Sequence, residues 1–165
     1  DQITSDYEQN KDRDMKTLKS LAVATTLSLA ALAQAAQAAT YTMYRDPNCG
    51  CCHKWAEQMK AKLKVDIAVV DRADMAQIKK ARGVPANLAS CHTMTVAGYV
   101  IEGHVPAKEI ARLLKEKPKG VTGIAVPGMP LGSPGMEAPG HEQHYQPYKV
   151  VSFGKAGIRT YASYR

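Results

Sequence analysis

The pattern of apolar and polar residues predicts strands and helices in alternation from residue 41 onward. Residues 41–45 are rich in strand formers and end at the turn signal Asp46-Pro47-Asn48. Between residues 51 and 64, apolar side chains recur at helical spacing. This spacing places Cys52 and Trp55 on the stripe that faces the core, so we expect a strand followed by an amphipathic helix.

The same signals predict five further elements before residue 118. These are a buried strand at 65–70, a short helix at 74–81, a strand hairpin at 93–97 and 99–102, and a helix that begins at Pro106 and ends before Pro118. The resulting order is β-α-β-α-β-β-α. We therefore expect an α/β fold of the thioredoxin-like type.

Residues 120–140 have a different composition, with six glycines and four prolines. We expect neither a helix nor a central strand there. One interpretation is a disordered linker. The other, which we favour because of apolar residues such as Ile124, Val126 and Leu131, is an ordered Gly/Pro/Met-rich loop that folds back over the domain. After it, residues 149–153 and 160–164 predict a closing strand pair.

The first 38 residues have the layout of a targeting segment. Residues 1–14 are polar and are interpreted as an upstream extension outside the native protein. Residues 15–38 combine two lysines, an apolar run at 21–32 and a small-residue cleavage site at 36–38, which predicts a secretory signal peptide. The run is too short to span a membrane and has no charged face. We expect a single domain at 39–165, exported to the periplasm, without membrane insertion after cleavage.

Composition and charge exclude several classes of protein. The chain has 165 residues, is 45% hydrophobic, and carries 22 Lys and Arg against 15 Asp and Glu. These values are atypical of a disordered tail or a polytopic membrane protein. The basic residues are scattered over predicted helix faces and do not alternate with aromatic residues, so we expect no nucleic-acid partner.

The candidate chemistry lies in the four cysteines: Cys49, Cys51, Cys52 and Cys91. Cys49 and Cys52 flank a predicted strand-to-helix junction, where the helix N-terminus favours thiolate over thiol. Cys91 stands just ahead of a predicted strand. In a thioredoxin topology that loop lies beside the junction, so we expect the two groups of cysteines to meet in space.

Several uses of four thiols remain open. Two disulfides, Cys49–Cys52 and Cys51–Cys91, would be a structural use, and a single zinc ion fits the crowded spacing less well. Bridging thiolates suit more than one ion, and soft ligands favour Cu(I). Nearby imidazoles and thioethers are auxiliary candidates, although a single Met is more often core filler; they are His53, His92, Met94, Met129 and Met136. His104 is interpreted as a local hydrogen-bonding residue near a helix start.

Tyr-Arg-Asp-Pro-Asn-Cys-Gly-Cys-Cys-His-Lys-Trp at 44–55 resembles the CopG-type periplasmic copper-resistance proteins. Five further segments resemble the other signatures of that family: 83–85, 89–93, 98–106, 125–130 and 132–137. The similarity runs from about residue 41 to residue 153. It implies a thioredoxin-like fold whose four cysteines hold a copper cluster or form disulfides when oxidised. The ligands carried over by position are Cys49, Cys51, Cys52 and Cys91.

The expected function is therefore copper binding in copper resistance, with Cu(I) held as a multinuclear thiolate cluster. The expected partners are copper ions and copper-efflux or other periplasmic copper proteins. We lean away from an enzyme. The alternatives are a thiol-disulfide or copper-coupled oxidoreductase that uses Cys49 and Cys52, and an adaptor whose loop at 120–140 recognises another copper protein.

Overall fold

The computed structural model describes residues 40–165. The upstream extension at 1–14 and the signal peptide at 15–38 lie outside these residues. Within the described part, no helix has the length and apolar character needed to cross a bilayer. The regular elements, in chain order, are β1 (Tyr41–Arg45), α1 (Gly50–Leu63), β2 (Ile67–Asp71), α2 (Met75–Ala81), β3 (His92–Val96), β4 (Tyr99–Glu102), α3 (Ala107–Glu116), β5 (Gly123–Ala125), β6 (Tyr148–Phe153) and β7 (Arg159–Tyr164).

All seven strands form one mixed sheet in the order β2-β1-β3-β4-β5-β6-β7. The pairs β1–β2 and β4–β5 are parallel, and the other four pairs are antiparallel. The fold is thus mixed α/β, as expected. The predicted hairpin is confirmed: Ala97 and Gly98 join β3 to β4, both with positive φ (48° and 81°), as a tight two-residue turn requires.

Two predictions about strands are wrong. The strand predicted as buried at 65–70 begins at Ile67 and lies at the sheet edge, and only Ile67 is buried. The second error is β5, a central strand inside the glycine-rich segment. Its Gly123 lies so close to the carbonyl oxygen of Val100 and the ring of Phe153 that a Cβ would collide with both. Glycine is compatible with a central strand here because neighbouring atoms occupy the place of a side chain.

The core joins α1 and α3 to the sheet. Cys52, Trp55 and Met59 on α1 are fully buried, as the helical pattern predicted. The indole Nε1 of Trp55 also donates to the carbonyl oxygen of Val105 at 3.0 Å. This bond ties the helix that carries the cysteines to the segment between β4 and α3, where His104 lies.

The predicted C-terminal strand pair is confirmed as β6 and β7, which pack beside α3. The rings of Tyr148 and Tyr164 stack with centroids 4.9 Å apart. The Tyr164 hydroxyl donates to Glu109 Oε1 at 2.8 Å. Arg112 lies 3.8 Å from the centroid of the Tyr161 ring and donates to the Tyr161 carbonyl oxygen at 2.7 Å. These contacts anchor the last hairpin on the domain.

The stacked tyrosines predict a loss of stability at alkaline pH. Burial, with a smaller effect of Glu137 and Glu109, raises the pKa of Tyr148 to about 12. Burial and the bond to Glu109 also raise the pKa of Tyr164, while Arg112 opposes this rise. The folded chain holds these protons more tightly than the unfolded chain does. The contribution of these two tyrosines to the free energy of unfolding is therefore complete below about pH 10. It is lost as the pH rises toward 12 and beyond.

Urea unfolding at a series of alkaline pH values would measure this loss. The variant Tyr164→Phe removes one ionisable phenol and should show a weaker pH dependence than the parent chain. Tyrosinate absorbance of the folded protein should show late-titrating phenols. Titration of every tyrosine near pH 10, with stability unchanged above it, would contradict the prediction.

Candidate metal centre

Three of the four cysteines lie at the start of α1. A turn precedes the helix, in which Asp46 accepts hydrogen bonds from the backbone N–H groups of Asn48 and Cys49, at 2.8 and 3.0 Å. Cys49 caps the helix and forms a disulfide with Cys52, one turn later. Cys51, which lies between them, carries a free thiol. The oxidised form of the site thus holds one disulfide and leaves one thiol of this segment available.

The fourth cysteine joins this group from a distant part of the chain. Cys91 precedes β3, the strand next to β1, and its Sγ lies 4.0 Å from Cys51 Sγ. Cys51 Sγ lies 3.5 Å from Cys49 Sγ. All four sulfur atoms fall within 4.8 Å of one another. The expected meeting of the two cysteine groups is confirmed, and the sulfurs are close enough to share bound ions.

Two imidazoles extend the sulfur group on the side of Cys91. His104 Nε2 is 2.8 Å from Cys91 Sγ, and His92 Nδ1 is 3.7 Å from it. Cys91 Sγ and one ring nitrogen of each histidine form a second group within 4.8 Å. Both histidines are fully buried. His104 is therefore more than the local hydrogen-bonding residue that the sequence indicated, because its second ring nitrogen faces a thiol.

The environment favours neutral forms of these groups. Burial, and then the neighbouring Cys51 thiol, raise the pKa of Cys91 to about 12. Burial also lowers the pKa of His104, although the Pro134 carbonyl opposes this. Burial also lowers the pKa of His92 well below its usual value. At neutral pH, Cys91 is a thiol beside two uncharged imidazoles, so a cation that binds there must displace the thiol proton.

A buried carboxylate, missed in the sequence, holds the loop that carries Cys91. Glu102 is fully buried and accepts from the Ser90 N–H at 2.6 Å, from Thr93 Oγ1 at 2.7 Å and from Lys79 Nζ at 2.6 Å. Ser90 and Thr93 lie on either side of Cys91 and His92. The only sequence signal is an acidic residue that ends the apolar run of β4. This network fixes the direction in which the thiol of Cys91 points.

The loop after β5 closes over the same group, so the ordered-loop interpretation is confirmed for this segment. The Pro134 carbonyl oxygen lies 2.8 Å from His104 Nδ1. Ser90 Oγ donates to the Gly128 carbonyl oxygen. Gly135, with φ of +81°, packs so that an added Cβ would meet Cys51 O and Trp55 N at 2.9 Å. The loop thus contacts both segments that supply cysteines.

The variant Gly135→Ala should therefore displace the loop from α1. Its expected cost is ~2–5 kcal/mol, from the left-handed backbone conformation together with overpacking. Gly128→Ala is the matched control: Gly128 has a similar φ of +69°, but nothing lies within 4 Å of its added Cβ. That control should lose only ~1–2 kcal/mol. Chemical unfolding followed through Trp55 would compare the two, and equal losses would refute the packing argument.

The other auxiliary candidates occupy varied positions. Met94 lies on β3, which pairs with β1 and β4, and its side chain is fully buried in the core. Met136 is half-buried in the loop, whereas Met129 is 54% exposed. His53 is exposed on α1. Among the His, Cys, Asp and Glu side chains of the described residues, His53 belongs to neither ligand group, whereas His92 belongs to the group of Cys91 and His104.

The donor atoms of the site fit a soft metal ion. Thiolate sulfur and neutral imidazole nitrogen are ligands that Cu(I) and Zn²⁺ accept, whereas Mg²⁺ and Ca²⁺ require oxygen ligands. No carboxylate enters either ligand group. The fold and the site together define a small mixed α/β protein in which a half-buried group of four sulfurs lies beside two buried imidazoles.

Comparisons with known proteins agree with this class. Residues 88–136 match a family model described as a protein of unknown function, DUF411. A solved structure of copper resistance protein CopG, form 2, is 37% identical, with a TM-score of 0.70, over 78% of this chain and 100% of that chain. Form 1 is 39% identical, with a TM-score of 0.65, over 76% of this chain and 96% of that chain. No curated protein matches significantly. The chain belongs to the family of copper resistance protein CopG.

Proposed function

We propose that this protein binds copper as Cu(I) through Cys49, Cys51, Cys52 and Cys91, and that it serves copper resistance. The observation that carries the proposal is the convergence of four sulfur atoms within 4.8 Å. Soft thiolates select Cu(I) over harder ions. The solved relatives, named as copper resistance proteins, support the same metal.

The arrangement favours more than one ion. Successive residues of a helix point about 100° apart, so Cys51 and Cys52 do not face a single ion equally well. Cys91, 4.0 Å from Cys51, approaches from the other side. Thiolates in such an arrangement bridge neighbouring ions. A multinuclear thiolate cluster therefore uses all four sulfurs better than one tetrahedral ion does.

The redox state decides how many ligands are available. With Cys49 and Cys52 joined in a disulfide, only Cys51 and Cys91 carry thiols. Two electrons and two protons convert the disulfide into two further thiols. Copper capacity should therefore be high in the reduced chain and low in the oxidised one.

The fold supports a thioredoxin-like assignment for residues 41–116. Its sheet order β2-β1-β3-β4, with β1 and β2 parallel and the next two pairs antiparallel, agrees with that topology. The dithiol stands at the start of the first helix. We infer that β5, β6 and β7 extend this core, and that the loop before β6 covers its thiol site.

We also propose a place of action. The signal-peptide layout of residues 15–38 favours export to the periplasm. An exported thiol cluster would hold copper there and pass it to copper-efflux or other copper proteins. Expression of the full chain in a bacterium, followed by fractionation, tests the location. Recovery of the uncleaved chain from the cytoplasm would refute it.

Anaerobic titration of the reduced protein with Cu(I), in competition with a chelator, tests the binding itself. We expect more than one copper ion per chain in the reduced form and a lower stoichiometry in the oxidised form. Zn²⁺ in the same competition should bind less tightly. No retained copper in the reduced protein would refute the proposed function.

Thiol-disulfide exchange is the second candidate, favoured by the Cys49–Cys52 disulfide at a helix start. Cys51 Sγ, at 3.5 Å from Cys49 Sγ, competes as a partner for every mixed-disulfide intermediate. The variants Cys51→Ser and Cys91→Ser separate the functions. If both keep full exchange activity and lose nothing else, exchange is the better account.

A further inference from the structure

Two histidines outside the metal centre lie on one turn of the loop before β6. His141 caps a short 3₁₀-helix, and His144 is the last residue of that helix. The backbone N–H of His144 donates to the His141 carbonyl oxygen at 2.9 Å, so the two residues stand one turn apart. Side chains with this spacing project from the same side of a 3₁₀-helix. Both side chains are exposed, so an ion in solution can reach them.

The two imidazole rings are separated by a distance that a shared metal ion can span. Their centroids lie 6.1 Å apart, and the ring planes are 31° from parallel. A metal–nitrogen bond of about 2.0–2.1 Å places the centroid of a ligating imidazole about 3.2 Å from the ion. Two rings on one ion therefore have centroids at most about 6.4 Å apart. The observed separation lies within this limit, so one ion can contact a nitrogen of each ring without a change in the backbone.

The turn that carries the pair is fixed to the rest of the loop. The ring of Tyr145 packs so closely against Gly132, whose φ is +91°, that an added Cβ would collide with it. The Tyr145 hydroxyl accepts from the Ala138 N–H at 3.2 Å. Gln146 donates its N–H to the Leu131 carbonyl oxygen at 2.9 Å, and its Oε1 accepts from the Leu131 N–H at 3.1 Å. The backbone of both histidines is thus held in place before an ion arrives, which lowers the entropy cost of binding.

A carboxylate in the same turn adds negative charge. Glu142 follows His141 in the sequence, and its Oε1 accepts from the Gly140 N–H at 3.0 Å. Hydrogen bonds from the backbone N–H groups of Glu142 and Gly140 lower the pKa of the Glu142 carboxyl, so it is ionised at neutral pH. The charge of a cation bound by two neutral imidazoles is therefore partly compensated within the turn.

We propose that His141 and His144 form a second metal site, which binds a divalent first-row cation, and Cu²⁺ most tightly, through two imidazole nitrogens. Imidazole suits copper, nickel and zinc, and the general order of affinity places Cu²⁺ first. Neither residue belongs to the ligand groups of the metal centre. Water fills the remaining positions around the ion, because the turn is exposed. The site differs from the thiol cluster in its donor atoms and in the oxidation state of its ion, and it does not depend on the proposed function.

Binding of Cu²⁺ to the oxidised full-length chain tests the site, after alkylation of the free thiols of Cys51 and Cys91. Alkylation prevents these thiols from reducing or binding the ion. In wild-type protein we expect one bound Cu²⁺ per chain, with nitrogen coupling in its electron paramagnetic resonance spectrum. At less than one equivalent, Cu²⁺ should broaden the NMR signals of His141 and His144 together, before those of the exposed His53.

Two variants separate a shared ion from two independent imidazoles. His144→Gln removes one ligand and should bind Cu²⁺ at least ~10-fold less tightly in competition with a chelator, because the second imidazole acts on an ion already held nearby. The double variant Gln143→His with His144→Gln keeps the total of five histidines. It places the two rings on different sides of the turn, so it should show the same loss.

Two results would overturn this inference: wild-type affinity in either variant, or broadening of His53 as readily as of the pair. The histidines would then bind ions only as separate exposed side chains. Neither result bears on the thiol cluster, whose Cu(I) stoichiometry is measured in the reduced protein. Reduced protein without copper would refute the proposed function and leave this site intact. The broadening of wild-type signals needs no variant, so it decides the question even if a variant does not fold.

Discussion

Replacing Lys79 with Ala is expected to destabilise the protein by ~3–5 kcal/mol, because it leaves a buried carboxylate without its cation. Glu102 is fully buried, and Lys79, with 12% of its side chain exposed, is its ion-pair partner at 2.6 Å. The remaining donors, Ser90 N–H and Thr93 Oγ1, carry no charge. Urea unfolding followed through Trp55, the single tryptophan, measures the loss.

Two further variants control this experiment. Lys80→Ala removes the neighbouring lysine, which is exposed and forms no ion pair within residues 40–165. It should change stability by no more than ~0.5 kcal/mol. The double variant Lys79→Met with Glu102→Gln removes both charges and should recover part of the loss. If Lys79→Ala is no worse than Lys80→Ala, the buried pair does not stabilise the fold.

The elements with strong periodicity could be predicted from the sequence. The helix at 51–64 repeats apolar residues on one face, and the structure places α1 within a residue of the predicted ends. The strand at 65–70 was misjudged because its valines suggest burial, yet an edge strand exposes such residues to solvent. The local sequence pattern shows whether the side chains of a strand are apolar. Whether the strand lies at the edge or the centre of the sheet depends on its pairing with distant segments of the chain.

The candidate site divides in the same way. The cysteines were visible because thiols in this spacing have few uses, and topology placed Cys91 beside them. His104 could not be assigned from the sequence. Its environment comes from Cys91, thirteen residues away, and from Pro134, thirty residues away. Glu102 was missed for the same reason, since its partners lie on α2, in the loop before β3 and on β3 itself.

The glycine-rich segment at 120–140 shows why composition failed to predict β5. Glycine and proline disfavour regular structure, but here they permit close approach. Gly123 passes between β4 and β6, and Gly135 rests on the first turns of α1. Fixing the many backbone dihedrals of such a segment is entropically costly. Its contacts with the site imply that the order of this loop and the geometry of the thiols depend on each other.

That dependence makes Cys91 the most informative cysteine to remove. Cys91→Ser should weaken Cu(I) retention by at least ~10-fold. The substitution removes the one sulfur that lies both 4.0 Å from Cys51 Sγ and 2.8 Å from His104 Nε2. The three remaining cysteines all come from the start of α1, where their directions diverge. Competition with a Cu(I) chelator under anaerobic conditions measures the change.

The double variant Cys49→Ser with Cys52→Ser is the counterpart, since it removes the disulfide and keeps the thiols of Cys51 and Cys91. Cys91→Ser should lose copper but keep the Cys49–Cys52 disulfide and any exchange activity that depends on it. The double variant should lose all exchange activity. It should still bind copper through the sulfurs of Cys51 and Cys91, but more weakly than wild type does. If Cys91→Ser binds copper as tightly as wild type, the sulfur from the second segment is not a ligand, and the proposed cluster fails.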